Sequence, residues 1–182
     1  MTTAADTPMI DAGRFILRKL ERADAPALFP TFSSASQCRY MSRAHFDSEL
    51  ELADWLTDPI WNGRSWVAVS REDGCVVGRF VSVPGRDDGV AEVGYVTVAD
   101  RQGQGVARAC MTALIAHLFD VENLRRVFAE IDAENAASIA LAESLGFVRE
   151  GCLRAHEISH KGLCDMVVYG QLRGEWSRSS GV

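Results

Sequence analysis

Apolar and polar residues change period several times along this chain, and each change marks an element. Arg14 to Leu20 (RFILRKL) reads as a strand, and a helix is predicted from Ala25 to Ser33, with Asp24 placed to cap it and Pro26 in its first turn. Ser36 to Phe46 has no clean period. Asp47 to Pro59 opens with acidic residues and carries Leu50, Leu52, Ala53, Trp55 and Leu56 at mostly helical spacings, which predicts a second helix. Ser65 to Ser70 and Gly74 to Val83 are β-branched runs joined by a polar Asp73-Gly74 turn, the pattern of a hairpin. After the loop Pro84 to Gly89, Val90 to Ala99 returns to strand.

From Val106 onward Ala109, Cys110, Ala113, Leu114 and Leu118 continue one helical stripe, which Met111, Ile115 and Phe119 widen. Arg125 to Asp132 then alternates as a strand, so the strand, turn, helix and strand form a crossover expected to be parallel and right-handed. Asn135 is a good N-cap for a helix from Ala136 to Leu145, which Gly146 and Phe147 close against Ala142. Val148 to Ser159 and Leu163 to Leu172 read as two more strands, joined by a turn at His160-Lys161-Gly162. No repeat, low-complexity tract or linker interrupts the pattern, so one domain is expected over residues 13–177, with a disordered lead at 1–12 and a tail at 178–182.

The junction Val93 to Ala107 combines a β-rich run, a glycine-spaced turn and a helix start. In that arrangement backbone N–H groups can hold a phosphate, so a phosphate-bearing cofactor is expected there. The 182 residues have ordinary globular composition, and a net charge of −6 argues against a nucleic-acid or anionic-membrane surface as the main function. Cys38, Cys75, Cys110, Cys152 and Cys164 form no C-x-x-C pair and suggest free thiols in a reducing compartment. His45, His117, His156 and His160 are scattered without metal-ligand spacing, and no metal is expected. Neither a signal-like N-terminus nor a membrane-length apolar run occurs, and a cytoplasmic location is expected.

Gln102-Gly103-Gln104-Gly105-Val106-Ala107 matches the Q/R-x-x-G-x-G/A pyrophosphate motif of the GNAT superfamily of acyl-CoA-dependent N-acyltransferases. With Asn135-Ala136-Ala137-Ser138-Ile139, Leu145 to Gly151, Asp165 to Gly170 and Glu175-Trp176, the chain resembles the ribosomal-protein alanine N-acetyltransferase subfamily over Arg14 to Trp176. The resemblance implies an α+β GNAT fold, with a mixed, mostly antiparallel central sheet of about six or seven strands and about four flanking helices. It also implies transfer of an acetyl group from acetyl-CoA to a primary amine in a ternary complex, without metal or covalent enzyme intermediate. An alanine-type protein N-terminus leads as acceptor. Small-molecule amines (an amino acid, polyamine or antibiotic), or a silent acyl-CoA-binding domain, are the alternatives. The subfamily often dimerises, so a homodimer is a further expectation.

By the same resemblance, Gln102, Gly103, Gln104, Gly105, Val106 and Ala107 hold the pyrophosphate; a tight turn needing glycine for geometry alone is the alternative. Val96, Thr97 and Val98 present main-chain groups to the pantetheine arm, with an N–H near Val98 as oxyanion donor. A base is needed to deprotonate the amine, and alternation puts Glu92 on the strand face of Val96 and Val98, ahead of Glu130 on the next strand. Either carboxylate could instead pair with an arginine or be solvated. The helix tyrosine that many GNAT enzymes use to protonate the CoA thiolate is replaced by Ala142, and Ser138 is the substitute acid by resemblance. Ser138 could also serve the local backbone, and Asn135 could contact cofactor or only cap its helix. Tyr40 and Met41, with Phe46, Trp55 and Trp61, are candidate acceptor walls or core, and Asp24, Glu49 and Glu51 could attract a cationic amine.

Overall fold

The computed structural model describes residues 7–179. The strands are β1 (Ile10–Ala12), β2 (Phe15–Lys19), β3 (Arg64–Ser70), β4 (Val76–Pro84), β5 (Val90–Thr97), β6 (Arg126–Asp132), β7 (Val148–Ser159) and β8 (Gly162–Leu172). They form one 8-stranded sheet in the order β1-β2-β3-β4-β5-β6-β8-β7. Neighbours run antiparallel except β5 and β6, which are parallel, as expected of the crossover between them.

The helices are α1 (Ala25–Phe32), α2 (Glu49–Leu56), α3 (Val106–Ala116), α4 (Ala136–Ser144) and α5 (Arg173–Ser179). Leu17, Leu28, Leu52, Trp66, Phe80, Leu114 and Val127 lie fully buried between sheet and helices. Arg79 on β4 lies against the rings of Trp55 and Trp61, which puts it on the α1–α2 face. Its neighbour Phe80 stacks on Tyr95 of β5, and Tyr95 touches Ser138 of α4, so these three occupy the opposite face.

Several expectations need correction. The lead was expected to extend to residue 12, but residues 10–12 are β1: Ile10 and Ala12 are buried, and a tight turn pairs Ala12 with Phe15. Gly13 makes that turn at φ +68°, its N–H donating to Asp11 Oδ1. Residues 1–6 of the lead and 180–182 of the tail lie outside the described residues, while residues 178 and 179 belong to α5. With β1 and α5 the sheet has one strand more than the upper expectation and the helices one more, since short terminal elements leave too little periodicity to read. Asp24 does not cap α1 with its side chain. Its buried carboxylate instead takes two hydrogen bonds from Arg18, at 2.9 and 2.7 Å, and one from the Glu21 N–H.

The end of α4 follows its sequence reading. Gly146 takes φ +87°, its N–H donates to the Glu143 carbonyl, and the Phe147 N–H reaches back to Ala142. This fixes the end of α4, which packs against β7.

Candidate active site

β5 and β6 pair through only three positions: Val90 with Arg126, Ala91 with Val127, and Glu92 with Phe128. Beyond Glu92 the strands separate. Along β5 the ladder to β4 is unbroken, and even-numbered residues are its hydrogen-bonded positions, as the Gly85 N–H to Val90 O and Val98 N–H to Val77 O bonds show. An antiparallel ladder alternates, so the main-chain groups of Tyr95 and Thr97 point the other way, into the gap. The expected oxyanion donor near Val98 is therefore corrected. Its N–H is already bonded to Val77 at 3.1 Å, and the gap-facing N–H groups belong to Tyr95 and Thr97.

A cavity of about 240 Å³ occupies the gap, and its lining includes Tyr95, Glu130, Asn135, Ser138, Glu157 and Tyr40. Glu92 is half-buried at the point where the strands part. Burial pushes its carboxyl above the usual range, the like charges of Glu130 and Glu157 add to the rise, and the Glu130 backbone N–H opposes it. Glu130 lines the cavity with His156 Nε2 3.7 Å from its Oε2. Neither glutamate has an arginine partner among the described residues.

The glycine turn lies at the far end of β5. Gly103 and Gly105 take φ +74° and +80°, and α3 starts immediately after. The first-turn N–H groups of Val106 and Ala107 have no helical carbonyl to bond, leaving them available to an anion. The side chains of Gln102 and Gln104 turn back onto the protein: Gln102 Nε2 donates to Gln37 and to the Thr97 carbonyl, and Gln104 Nε2 to the Asp100 carbonyl. Arg101 pairs with Asp73 at 2.5 Å, tying the turn to the β3–β4 connection and holding the Asp73 carboxyl well below the usual range, after the stronger effect of the Cys75 N–H. Thr97 Oγ1 is buried with no partner in the protein, next to its own gap-facing main chain. That orphaned hydroxyl and the open N–H groups fit an extended ligand with amides at one end and phosphates at the other.

On the other side, the Asn135 side chain accepts the Ser138 N–H, so Asn135 caps α4 while lining the cavity. Ser138 Oγ lies 3.2 Å from the Tyr95 hydroxyl. Tyr95 escaped the sequence reading; the available signal was a lone phenol in a valine- and glycine-rich strand facing a helix that lacks a tyrosine. Glu157 gave no signal, because a β-hairpin residue's approach to β5 depends on the bend of β7 around Ala155, whose φ is +49°.

The candidate acceptor residues divide. Tyr40 lines the cavity, its hydroxyl donating to the Glu134 carbonyl and its ring under Lys161 Nζ. Lys161 in turn bridges Asp132 at 2.7 Å and Glu134 at 3.0 Å, which fastens the β7–β8 turn to the β6–α4 loop. Met41 is half-buried against the core and Phe46 is fully buried with Phe32 and Trp55, so neither reaches the cavity. Trp61 lies over Arg79. Asp24 is committed to Arg18 and Glu51 to Arg43, which removes both as attractors of an amine. All five cysteines are free thiols, and no metal-holding group of three or more ligands occurs among the described residues.

Residues 14–148 match the model of the acetyltransferase (GNAT) domain family, and the chain belongs to that family of N-acetyltransferases, whose donor is acetyl-CoA. An uncharacterized N-acetyltransferase, p20, of Bacillus licheniformis is 29% identical over 170 residues, covering 90% of this chain and 96% of that protein. A ribosomal-protein-serine acetyltransferase of Escherichia coli (strain K12) is 33% identical over 82 residues, 45% of this chain and 46% of that one. The crystal structure of a GNAT-family acetyltransferase from Bacillus anthracis superposes with a TM-score of 0.85 at 22% identity, covering 92% of this chain and all of that one. This last likeness is one of fold.

Proposed function

We propose that the protein transfers the acetyl group of acetyl-CoA to an α-amine, a protein N-terminus leading, by direct attack within a ternary complex. The observation that carries the reading is Glu92, a carboxylate of raised basicity at the point where β5 and β6 part, with Glu130 and Glu157 beside it. The three negative charges draw in an ammonium. Glu92 takes its proton, directly or through one water, and the free amine attacks the thioester carbonyl. The N–H of Tyr95 or Thr97 receives the developing oxyanion, while the turn from Gln102 to Ala107 holds the pyrophosphate.

An α-amine suits this base better than a side-chain or polyamine nitrogen. Its pKa of about 8 stands about two units below that of an alkylammonium, so a glutamate of raised basicity removes its proton with a smaller deficit. The partial match to an enzyme named for a ribosomal-protein serine supports a protein acceptor. A second reading, a polyamine acceptor, is favoured by the same three carboxylates, which can hold more than one cation. Turnover of N-terminal peptides against matched polyamines at equal concentration decides between them: higher kcat/KM for peptides upholds the proposal, and higher values for polyamines overturn its acceptor.

A further inference from the structure

The departing CoA thiolate needs a proton, and Ala142 of α4, which lines the cavity, has none to give. A phenol reaches the same cavity from the opposite wall. Tyr95 is held by stacking on Phe80, with ring centroids 6.2 Å apart and planes at 16°, and its hydroxyl meets Ser138 Oγ at 3.2 Å. Both residues line the gap between β5 and β6. Ser138 is fixed in turn, because its N–H donates to the Asn135 cap. Two hydroxyls from two elements thus meet in the gap.

Ser138 is the acid at the CoA sulfur that the family resemblance implies; we propose that Tyr95 is the positioning residue behind it, holding the Ser138 hydroxyl and relaying a proton through it. This rests on the acetyl-transfer reading above. When the tetrahedral intermediate collapses, the C–S bond breaks and its electron pair goes to sulfur. Ser138 Oγ–H gives its proton to sulfur as the Tyr95 O–H gives its own to Ser138 Oγ, and the phenolate is reprotonated from solvent. The ammonium loses two protons towards Glu92 and solvent, so one proton is released overall. An aliphatic hydroxyl is a much weaker acid than a phenol, which is why Ser138 alone would serve poorly. Burial raises the Tyr95 phenol, and the Ser138 contact partly offsets the rise, so the phenol keeps its proton at neutral pH. Glu130 and Asp132 on β6, Glu157 on β7 and Tyr40 also face the cavity. Asp132 is neutralised by Lys161, and the remaining carboxylates disfavour a tyrosinate there.

Tyr95→Phe keeps the stacked ring and removes only the hydroxyl; Ser138→Ala removes the partner, and Ser138→Thr restores a hydroxyl. The relay predicts kcat reduced about 10–100-fold in the first two, KM for acetyl-CoA within about twofold, and a double variant no slower than the slower single one. Ser138→Thr recovers most of the rate. Titrating the ultraviolet thiolate band of CoA in its complex with the enzyme supplies a readout that needs no acceptor. The bound thiol titrates higher in Tyr95→Phe and Ser138→Ala than in the wild type, because each change weakens the hydroxyl hydrogen bond that stabilises the thiolate. An unchanged kcat in Tyr95→Phe, or a lowered kcat with an unchanged bound-thiol titration, overturns the relay. Failure of the wild type to acetylate any amine overturns the function instead, and the thiol titration still decides the relay.

Discussion

Glu92 and Phe128 are the last residues at which β5 and β6 run side by side. The separation beyond them opens the cavity, turns the main-chain N–H groups of Tyr95 and Thr97 towards it, and leaves the Glu92 carboxylate at the last paired position among like charges. One local parting of two parallel strands therefore places open main-chain N–H groups and a carboxylate of raised pKa side by side, the two features on which the proposed acetyl transfer rests.

The charge on Glu130 helps raise Glu92, so neutralising it lowers the Glu92 pKa. Because the proposed base, Glu92, works deprotonated, the acid limb of the kcat/KM profile should lie above the ordinary glutamate range in the wild type and shift to lower pH in Glu130→Gln, whose plateau also falls as one of the charges that draw in the ammonium is lost. A pH–rate profile of both proteins checks this. An unmoved limb in Glu130→Gln would separate the two carboxylates.

Gly103 takes φ +74° with open space where a Cβ would stand. Gly103→Ala should cost about 1 kcal/mol from backbone strain alone, and Gly103→Asn less, since asparagine tolerates the left-handed region. Thermal melts with and without acetyl-CoA test this: the strained variant should also gain less from the ligand if the turn's N–H groups hold the pyrophosphate.

Lys161 neutralises the buried Asp132 and fastens the turn beside Tyr40. Burial alone would raise the Asp132 carboxyl, but its bond from Lys161, the Glu134 N–H and the Lys161 charge together hold it below the usual range. Lys161→Met should destabilise the fold by about 1–3 kcal/mol at neutral pH. Since the folded state depresses this carboxyl, the stabilisation is present at neutral pH and is lost as pH falls through the range where Asp132 takes its proton. Denaturant melts of the two proteins should converge on acidification.

The long elements could be read in the sequence because period and punctuation agree there. Gly146 and Phe147 at the end of α4 and the Asp73-Gly74 turn are the plainest cases. β1 is three residues long and α5 seven, too short for a period to show. Motif residues could also be read, and Asn135, Ser138, Glu130 and Tyr40 do line one cavity. What escaped depends on which way strand groups point once two strands part. The Val98 N–H looks open in the sequence but is bonded across to β4, and Tyr95 looks like core until Ser138 stands opposite it.

Release of CoA from acetyl-CoA, measured with a panel of N-terminal peptides and small amines for the wild type and Glu92→Gln, tests the account most directly. It predicts turnover by the wild type, fastest on α-amines, and a loss of about 10²–10⁴-fold in kcat/KM in Glu92→Gln with acetyl-CoA affinity unchanged. Binding of CoA without turnover of any acceptor, or a Glu92→Gln variant as fast as the wild type, would contradict it.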